Sequence, residues 1–222
     1  MTVNANAETQ AFVDELARRA DVLGVLLFGS WARGDHRPDS DVDLVVIVRD
    51  GFRRGVEYRG SQAFEIIYTT ETAALSYWAA HRDEAAAMWD VAKVLYDADG
   101  TMSRLATGAR AVLAEGKPAL DDARIASLRF DVEDQLRHVA HVAATDPATA
   151  QLLLANKVFG LTATVFDIRG HWTPPPKQRL AALDALDPDL AIAVRRFYTE
   201  PALANRLELA RSIAERVFAP SR

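Results

Sequence analysis

Cysteine is absent from the 222 residues of this sequence. Disulfide bonds and thiolate metal sites are therefore excluded, so a bound metal has to rely on carboxylate or histidine ligands. Long apolar runs are missing as well, because no stretch of about 18 apolar residues occurs. The opening residues, MTVNANAETQ, contain neither a basic start nor an apolar stretch. These absences predict a cytoplasmic protein without a membrane segment.

An excess of positive charge is also lacking, since the formal net charge is −5. Such a total gives no overall field that would hold an extended nucleic acid by its phosphates. A small-molecule partner is therefore favoured. Half of the residues are hydrophobic, which at this length suffices for one sizeable core or two modest ones, and we expect two domains.

The first half of the chain combines helical and strand patterns. Residues 9–20 place apolar side chains at helical spacing, with Thr9 as the predicted cap. Gly51 to Gly60 is charged and turn-like, and Glu71 to Met88 is predicted to be helical. Short apolar runs rich in β-branched residues predict two buried strands, Val22 to Phe28 and Val42 to Val48. The runs Ala63 to Thr69 and Val91 to Tyr96 predict a third and a fourth strand.

The second half is predicted to be helical throughout. Asp146 and Asp187 each precede a proline and are predicted N-caps. The predicted helices are Asp121 to Ala144, Pro147 to Arg169, Lys177 to Leu186, Leu190 to Tyr198 and Pro201 to Phe218. We therefore predict an α+β protein, in which residues 1–116 form a mixed-sheet domain and residues 117–222 form an all-α helical bundle domain.

Residues suited to chemistry are concentrated in the segment GSWARGDHRPDSDVD, which begins at Gly29. Gly29 and Ser30 stand where a buried strand gives way to a short helix, so their backbone N–H groups can face an anion. Asp41 and Asp43 are two residues apart at the start of a strand. Both carboxylates therefore point to one side, about 6.6 Å apart at the backbone. Glu65 lies in a later apolar strand, where an uncompensated charge is costly.

These three carboxylates suit a divalent metal. Mg²⁺ prefers oxygen ligands, and two ions about 3.5–4 Å apart would serve phosphoryl transfer beside a phosphate-binding turn. Asp41 and Asp43 would bridge the two ions. The alternative for Glu65 is an ion pair with one of three nearby arginines, Arg53, Arg54 or Arg59.

The longer segment GSWARGDHRPDSDVDLVVIV resembles the signature of the DNA polymerase β-like nucleotidyltransferase superfamily, in which Gly-Ser and Arg-Gly precede Ser-Asp-x-Asp and a strand. The resemblance implies a nucleotidyltransferase fold and catalytic role for the first domain. It also implies transfer of a nucleoside monophosphate from a nucleoside triphosphate, with ATP favoured, to an acceptor hydroxyl. Gly29 and Ser30 would bind phosphate. Asp41, Asp43 and Glu65 would be the catalytic metal ligands.

Four further residues complete the predicted nucleotide-binding set: Arg33, Ser40, Lys157 and Lys177. Arg33 either binds phosphate or braces the loop by pairing with Asp35 or Asp39. Lys157 interrupts an apolar helix, and Lys177 follows a rigid run of three prolines. Either lysine suits the β- or γ-phosphate, whereas the alternatives are a lysine that reaches solvent and an ordinary helix start.

The layout of a catalytic domain followed by helices is similar to that of antibiotic-modifying nucleotidyltransferases related to kanamycin nucleotidyltransferase. The similarity implies an aminoglycoside-like or other polyhydroxylated acceptor and a helical domain that closes over the catalytic one. Asp131, Asp134 and His138 share one face of the long helix, and either aspartate is a candidate base. A solvated helix face is the alternative. A homodimer is compatible with the sequence.

Two other functions remain open at this point. One is the same chemistry on a protein hydroxyl or an RNA end, as in antitoxin-type minimal nucleotidyltransferases. The other is a nucleotide-binding regulator without catalysis. Retention of Asp41, Asp43 and Glu65 together argues against the regulator, because a regulator has no need of three convergent metal ligands.

Overall fold

The computed structural model of the protein describes residues 7–219. They divide into two units between Glu115 and Gly116. Within the described range, the first unit contains five strands and five helices, and the second unit contains five helices. Each unit has a hydrophobic core of its own.

The first unit contains both helices and strands. Its elements are α1 (Ala7–Ala17), β1 (Val22–Phe28), α2 (Gly29–Arg33), β2 (Val42–Val48), β3 (Arg53–Arg59), β4 (Gln62–Thr69), α3 (Glu71–Ala80), α4 (Arg82–Trp89), β5 (Lys93–Asp97) and α5 (Thr101–Glu115). The strands form one sheet in the order β3-β4-β2-β1-β5. The sheet is mixed, because β2 and β4 are parallel whereas the other neighbouring pairs are antiparallel.

Helices cover both faces of this sheet, because its central strands are apolar on both sides. β1 and β2 are buried over most of their length. On one face, α1 contributes Phe12 to a cluster that includes Leu44 of β2. On the other face, Met102 of α5 packs in a cluster with Val45 of β2. Alternate residues of β2 therefore pack on opposite faces of the sheet, and Asp43 lies on the same face as Val45.

The second unit is built from helices alone. Its elements are α6 (Asp122–Val142), α7 (Pro147–Ile168), α8 (Pro176–Leu186), α9 (Pro188–Thr199) and α10 (Leu203–Val217). Side chains of all five helices contribute to one core. The carboxylate of Asp146 accepts from the N–H of Thr149, and that of Asp187 accepts from the N–H of Leu190, as the predicted caps require. In the described part of the chain, no helix is long and apolar enough to span a lipid bilayer.

The structure confirms the predicted α+β fold class, with a mixed-sheet unit followed by a helical one. Three local predictions are wrong. Thr9 is not a cap, because it lies inside α1 with 1% of its surface exposed. The segment from Gly51 to Gly60 contains strand β3, an edge strand whose exposed charges are tolerated there. The helix predicted from Glu71 to Met88 is two helices, separated at the non-helical residue His81.

Candidate functional site

The Gly-Ser turn lies where β1 ends and α2 begins. Gly29 has φ +71°, a left-handed conformation that glycine adopts without strain. A Cβ atom added to Gly29 would lie 1.8 Å from Oδ2 of Asp43. The backbone of the turn is therefore so close to the Asp43 carboxylate that any other residue would displace one of the two groups.

Three carboxylates converge beside this turn. In the parallel pair of β2 and β4, Asp43 lies directly opposite Glu65, and on the other side of β2 it lies opposite Phe28. Asp41 lies two residues earlier, just before β2 begins. One carboxylate oxygen from each of the three acidic residues lies within 4.8 Å of the others. The pairing of β2 with β4, which is non-local in sequence, brings Glu65 to the aspartates.

The donor set fits a divalent metal such as Mg²⁺. Its oxygen ligands stand about 2.1 Å from the ion, so two ligands of one ion are about 3 to 4 Å apart. The three carboxylates need only a small approach to share one ion or to bridge two. Glycine at position 29 keeps side-chain atoms out of the space beside Asp43. Asp41 is exposed, and Asp43 and Glu65 are half-buried, so the ligand atoms lie at the protein surface.

Glu65 also forms an ion pair with an arginine, as the alternative interpretation anticipated. The partner is Arg54 on β3, whose Nε donates to Oε1 of Glu65 at 3.0 Å and whose Nη2 donates to the same oxygen. The hydrogen bonds to Glu65 raise the pKa of the Arg54 guanidinium. The other two candidate arginines pair elsewhere, Arg53 with Glu57 and Arg59 with Glu15. Glu65 is thus both a member of the acidic cluster and the partner of Arg54.

The loop between α2 and β2 is braced by polar contacts of its own. Nε of Arg33 donates to both carboxylate oxygens of Asp35 at 3.1 Å. The hydroxyl of Ser40 accepts from the backbone N–H of Arg37 at 2.9 Å. Arg33 and Ser40 therefore have partners within the loop. Their contacts with a nucleotide remain predictions.

The carbonyl oxygen of Ser40, in the loop before β2, accepts hydrogen bonds from side chains of α2 and β4. It accepts one hydrogen bond from Nε1 of Trp31, on α2, at 3.3 Å. It accepts a second from Nε2 of Gln62, the first residue of β4, at 2.9 Å. Because Ser40 immediately precedes Asp41, these bonds tie the acidic pair to α2 and to β4, the strand that carries Glu65.

The second unit holds the remaining predicted residues. Lys157 is half-buried on α7, where burial lowers the pKa of its ammonium group and the Asp131 carboxylate partly offsets this effect. Lys177 is exposed in the first turn of α8. Asp134 accepts from Arg137 at 3.0 Å on an exposed face of α6, as the solvated-face alternative anticipated. These positions do not single out a base.

Comparison with known proteins identifies the first unit. Residues 10–86 match the model of the nucleotidyltransferase domain family, a range that includes Gly29, Ser30 and all three carboxylates. The N-terminal unit is a nucleotidyltransferase domain. This finding confirms the relationship to the DNA polymerase β-like superfamily that the motif predicts. The match ends within α4, so the helical unit lies outside it.

Two solved structures align with most of this chain at low sequence identity. A nucleotidyltransferase-like protein from Exiguobacterium sibiricum 255-15 aligns with a TM-score of 0.54 and 16% identity, covering 95% of this chain and 73% of that one. Spectinomycin adenyltransferase from Enterococcus faecialis, solved with ATP and spectinomycin, aligns with a TM-score of 0.39 and 12% identity, covering 96% and 100%. The first likeness concerns the fold alone, and the second supports no conclusion. A search of curated proteins finds no match.

Sequence reasoning missed two residues of the nucleotidyltransferase site and left a third among alternatives. Trp31 lies within the motif but gives no sign that its indole N–H reaches Ser40. Gln62 lies before an apolar strand, and only the pairing of β4 with β2 brings it to the same carbonyl. Arg54 could not be chosen over its neighbours because β3 itself was not predicted. Nothing in the sequence indicated this strand, because the first four residues of β3 are all exposed and the strand has no apolar run.

Proposed function

We propose that the protein transfers a nucleoside monophosphate from a nucleoside triphosphate, with ATP favoured, to a hydroxyl group of a small molecule. The observation that carries this proposal is the convergence of Asp41, Asp43 and Glu65 beside Gly29 in a nucleotidyltransferase domain. Enzymes accelerate phosphoryl transfer mainly by positioning and by electrostatic stabilisation. A fixed sheet register and a close glycine turn favour both.

In the proposed reaction the acceptor hydroxyl gives its proton to water, and its oxygen bonds to the α-phosphorus. The bond from the α-phosphorus to the bridging oxygen breaks, and that oxygen leaves as part of pyrophosphate. Asp41, Asp43 and Glu65 would hold the Mg²⁺, for which we propose two ions. Bound Mg²⁺ would supply Lewis acidity at the acceptor oxygen and charge neutralisation at the leaving pyrophosphate. The backbone N–H groups at Gly29 and Ser30, with the Ser30 hydroxyl, would hold the triphosphate.

Four residues are proposed as further nucleotide ligands: Arg33, Ser40, Lys157 and Lys177. Asp35, the partner of Arg33, is exposed, and ion pairs with a well-solvated partner add little to stability, so a phosphate can replace the aspartate. Burial disfavours the charge of Lys157, and an anionic phosphate would compensate for that cost. Lys177 is exposed and therefore accessible to a ligand.

A small acceptor is favoured by the charge of the protein. A net charge of −5 does not attract long polyphosphate chains, whereas it favours approach of a cationic, polyhydroxylated molecule of the aminoglycoside type. The proposed acceptor is therefore a hydroxyl on such a molecule.

The test is a transfer assay with ATP and GTP labelled in the α-phosphate, Mg²⁺, and separate sets of small polyols, proteins and RNA. We expect label from ATP to appear on a small polyol or amino sugar, with release of pyrophosphate. Transfer of label to protein or RNA would show that the acceptor belongs to that class and is not a small molecule. Absence of transfer to any set, together with no effect of Mg²⁺ and triphosphate on thermal unfolding, would contradict the proposed activity.

Replacement of Asp43 by asparagine separates catalysis from folding. Neighbouring carboxylates repel each other without metal, so Asp43→Asn should leave the metal-free protein at least as stable as the parent. Loss of a preorganised charge of this kind costs about 3 kcal/mol in a transition state, so turnover should fall more than a hundredfold. Melting curves and turnover are measured on the same preparation. A large loss of metal-free stability with preserved activity per folded molecule would make Asp43 a structural residue.

A further inference from the structure

The acidic cluster has a cationic partner on the edge strand. The antiparallel register of β3 and β4 places Val56 opposite Glu65 and Arg54 opposite Ile67. Residues opposite each other share a face, and so do residues two apart along a strand, so Arg54 and Glu65 lie on one face as a diagonal pair. Both hydrogen bonds from the Arg54 guanidinium to Glu65 end on Oε1. Glu65 is thus held from the β3 side, while Asp43 lies on its β2 side.

The contact between Arg54 and Glu65 is easily broken. The Arg54 side chain is 63% exposed and the Glu65 side chain 28% exposed. β3 lies at the edge of the sheet, so one side of the strand is uncovered by another strand. Exposed ion pairs add little to stability, because water solvates both charges well when they separate. The guanidinium can therefore leave Glu65 without unfolding the strand.

We propose that Arg54 is the counter-ion of the acidic cluster in the metal-free protein and competes with divalent metal for Glu65. The inference rests on the proposed function, because it takes Glu65 as a metal ligand. Three carboxylates within 4.8 Å repel each other, and a guanidinium on one of them relieves that repulsion. A divalent cation at the same carboxylates repels the guanidinium.

This competition gives Arg54 a role in ordering the binding steps. A metal ion that binds without nucleotide either displaces the Arg54 guanidinium from Glu65 or binds beside its positive charge. Both cost free energy, so the affinity of the acidic cluster for metal alone is lowered. Metal that arrives with a triphosphate brings negative charge with it, which offsets the repulsion from Arg54 and offers the released guanidinium an anionic partner. Arg54 is therefore a positioning residue that makes metal binding depend on nucleotide.

The neighbouring Arg53 provides a matched control. It belongs to the same strand and carries the same charge, but its side chain pairs with Glu57 at 2.7 Å and lies over the ring of Tyr68. Arg53→Gln therefore removes one positive charge from β3 without touching Glu65. Arg54→Lys keeps the charge at position 54, and Arg54→Gln removes it. Melting curves establish that each variant is folded before binding is measured.

The experiment is calorimetric titration of these variants and the parent with Mn²⁺ alone, without nucleotide. Arg54→Gln should bind Mn²⁺ about tenfold more tightly, the effect of removing a charge about 6 Å from a divalent ion in a water-like dielectric. Arg54→Lys and Arg53→Gln should stay near the parent. Equal affinity of Arg54→Gln and Arg53→Gln, or weaker binding by Arg54→Gln, would overturn the inference while leaving the proposed function intact. Absence of saturable Mn²⁺ binding by Arg54→Gln as well as by the parent would overturn the inference together with the assignment of Glu65 as a metal ligand.

A second measurement needs no charge-removing variant. In the parent protein, the Nε–H resonance of Arg54, assigned by its disappearance in Arg54→Lys, should move on saturation with Mg²⁺. The corresponding resonance of Arg53 should stay in place, because its partner Glu57 lies outside the acidic cluster. An Arg54 resonance that is unmoved at saturating Mg²⁺ would show that the guanidinium keeps Glu65, and the competition would be refuted.

Discussion

At the residue scale, two separate constraints require glycine at position 29. Its φ of +71° requires a left-handed backbone, and its place beside Asp43 leaves no room for a Cβ atom. Gly34, five residues later at the end of α2, shares only the first constraint. Its φ is +87°, but nothing lies within 4 Å of a Cβ added there. The pair therefore allows backbone strain to be measured apart from the collision with the carboxylate.

We expect Gly34→Ala to lower the free energy of unfolding by about 1–2 kcal/mol, the cost of a left-handed conformation for alanine, and to leave metal affinity unchanged. Gly29→Ala should carry the same strain and in addition displace the Asp43 carboxylate, so Mn²⁺ binding and turnover should both be lost. Urea unfolding and Mn²⁺ calorimetry on the two variants test this. Equal metal affinity for both would mean that Asp43 adjusts freely, and that the close approach of the turn has no functional role.

At the element scale, the site depends on the crossover that makes β4 parallel to β2. The pairing sets Asp43 opposite Glu65, and the Ser40 carbonyl adds a second link through Gln62 at the start of β4. Trp31 completes this link from α2, while its ring stacks on His36 with centroids 3.7 Å apart. Two hydrogen bonds on one oxygen hold the peptide that precedes Asp41.

This link predicts distinct effects for two substitutions. Gln62→Leu removes the shorter bond to Ser40 together with the 3.0 Å bond from the same nitrogen to the carbonyl of Ala63. Mn²⁺ binding should weaken, and stability should fall by about 2 kcal/mol, a typical value for two hydrogen bonds. Trp31→Phe keeps an aromatic ring against His36 but removes the longer hydrogen bond to Ser40. It should therefore weaken Mn²⁺ binding less than Gln62→Leu does. Metal affinity and turnover are compared with melting temperature for both. Loss of stability with unchanged metal affinity would show that the link is structural only.

The sequence predicts the elements that carry local signals better than the elements that depend on partners. The Gly-Ser turn and the Asp-x-Asp pair fall in one contiguous segment, and strand periodicity places Asp41 and Asp43 on one side. The turn lies beside Asp43 because β1 and β2 pair as antiparallel neighbours, with Phe28 opposite Asp43. β3 was not predicted, because an exposed edge strand carries no apolar run and its charges resemble those of a loop. The partner of Glu65 could not be chosen for the same reason. Diagonal pairing of Arg54 with Glu65 becomes visible only in the register of β3 and β4.

At the scale of the whole molecule, the chain contains two cores that are separate in sequence. The helical core draws on residues after 130, whereas the clusters on the two faces of the sheet draw on residues before 106. The chemistry of the nucleotidyltransferase domain and the stability of the helical unit therefore rest on different residues. A change confined to the helical core is expected to alter stability and leave metal binding to the acidic cluster unchanged.

Asp187 is a buried charged residue of the helical unit. Its side chain is 6% exposed, and it accepts hydrogen bonds from Arg216 at 2.7 Å, from Arg169 at 2.6 Å and from the N–H of Leu190 at 3.1 Å. Burial by itself would raise the pKa of this carboxyl, but the hydrogen bonds from Arg216, Arg169 and Leu190 outweigh it and lower the pKa to about 2. The ionised form is therefore the one that folding favours.

Because the pKa in the folded protein lies below the ordinary value of about 3.9, Asp187 stabilises the fold fully above that value and loses its effect as pH falls towards 2. The contribution is about 2–3 kcal/mol at neutral pH, about half of that at pH 3 and little at pH 2. Asp187→Asn should thus lower the free energy of unfolding near pH 7 by at least this amount, and the difference from the parent should shrink as pH falls.

Asp184→Asn is the control, because Asp184 pairs with Arg195 at an exposed position and its loss should change stability little. Urea unfolding followed by circular dichroism between pH 2 and 7 gives the difference directly, and Mn²⁺ affinity should be equal in all three proteins. A difference between the parent and Asp187→Asn that is the same at both ends of this range would show that the ionisation of Asp187 does not contribute, and that the asparagine acts only through lost packing or capping.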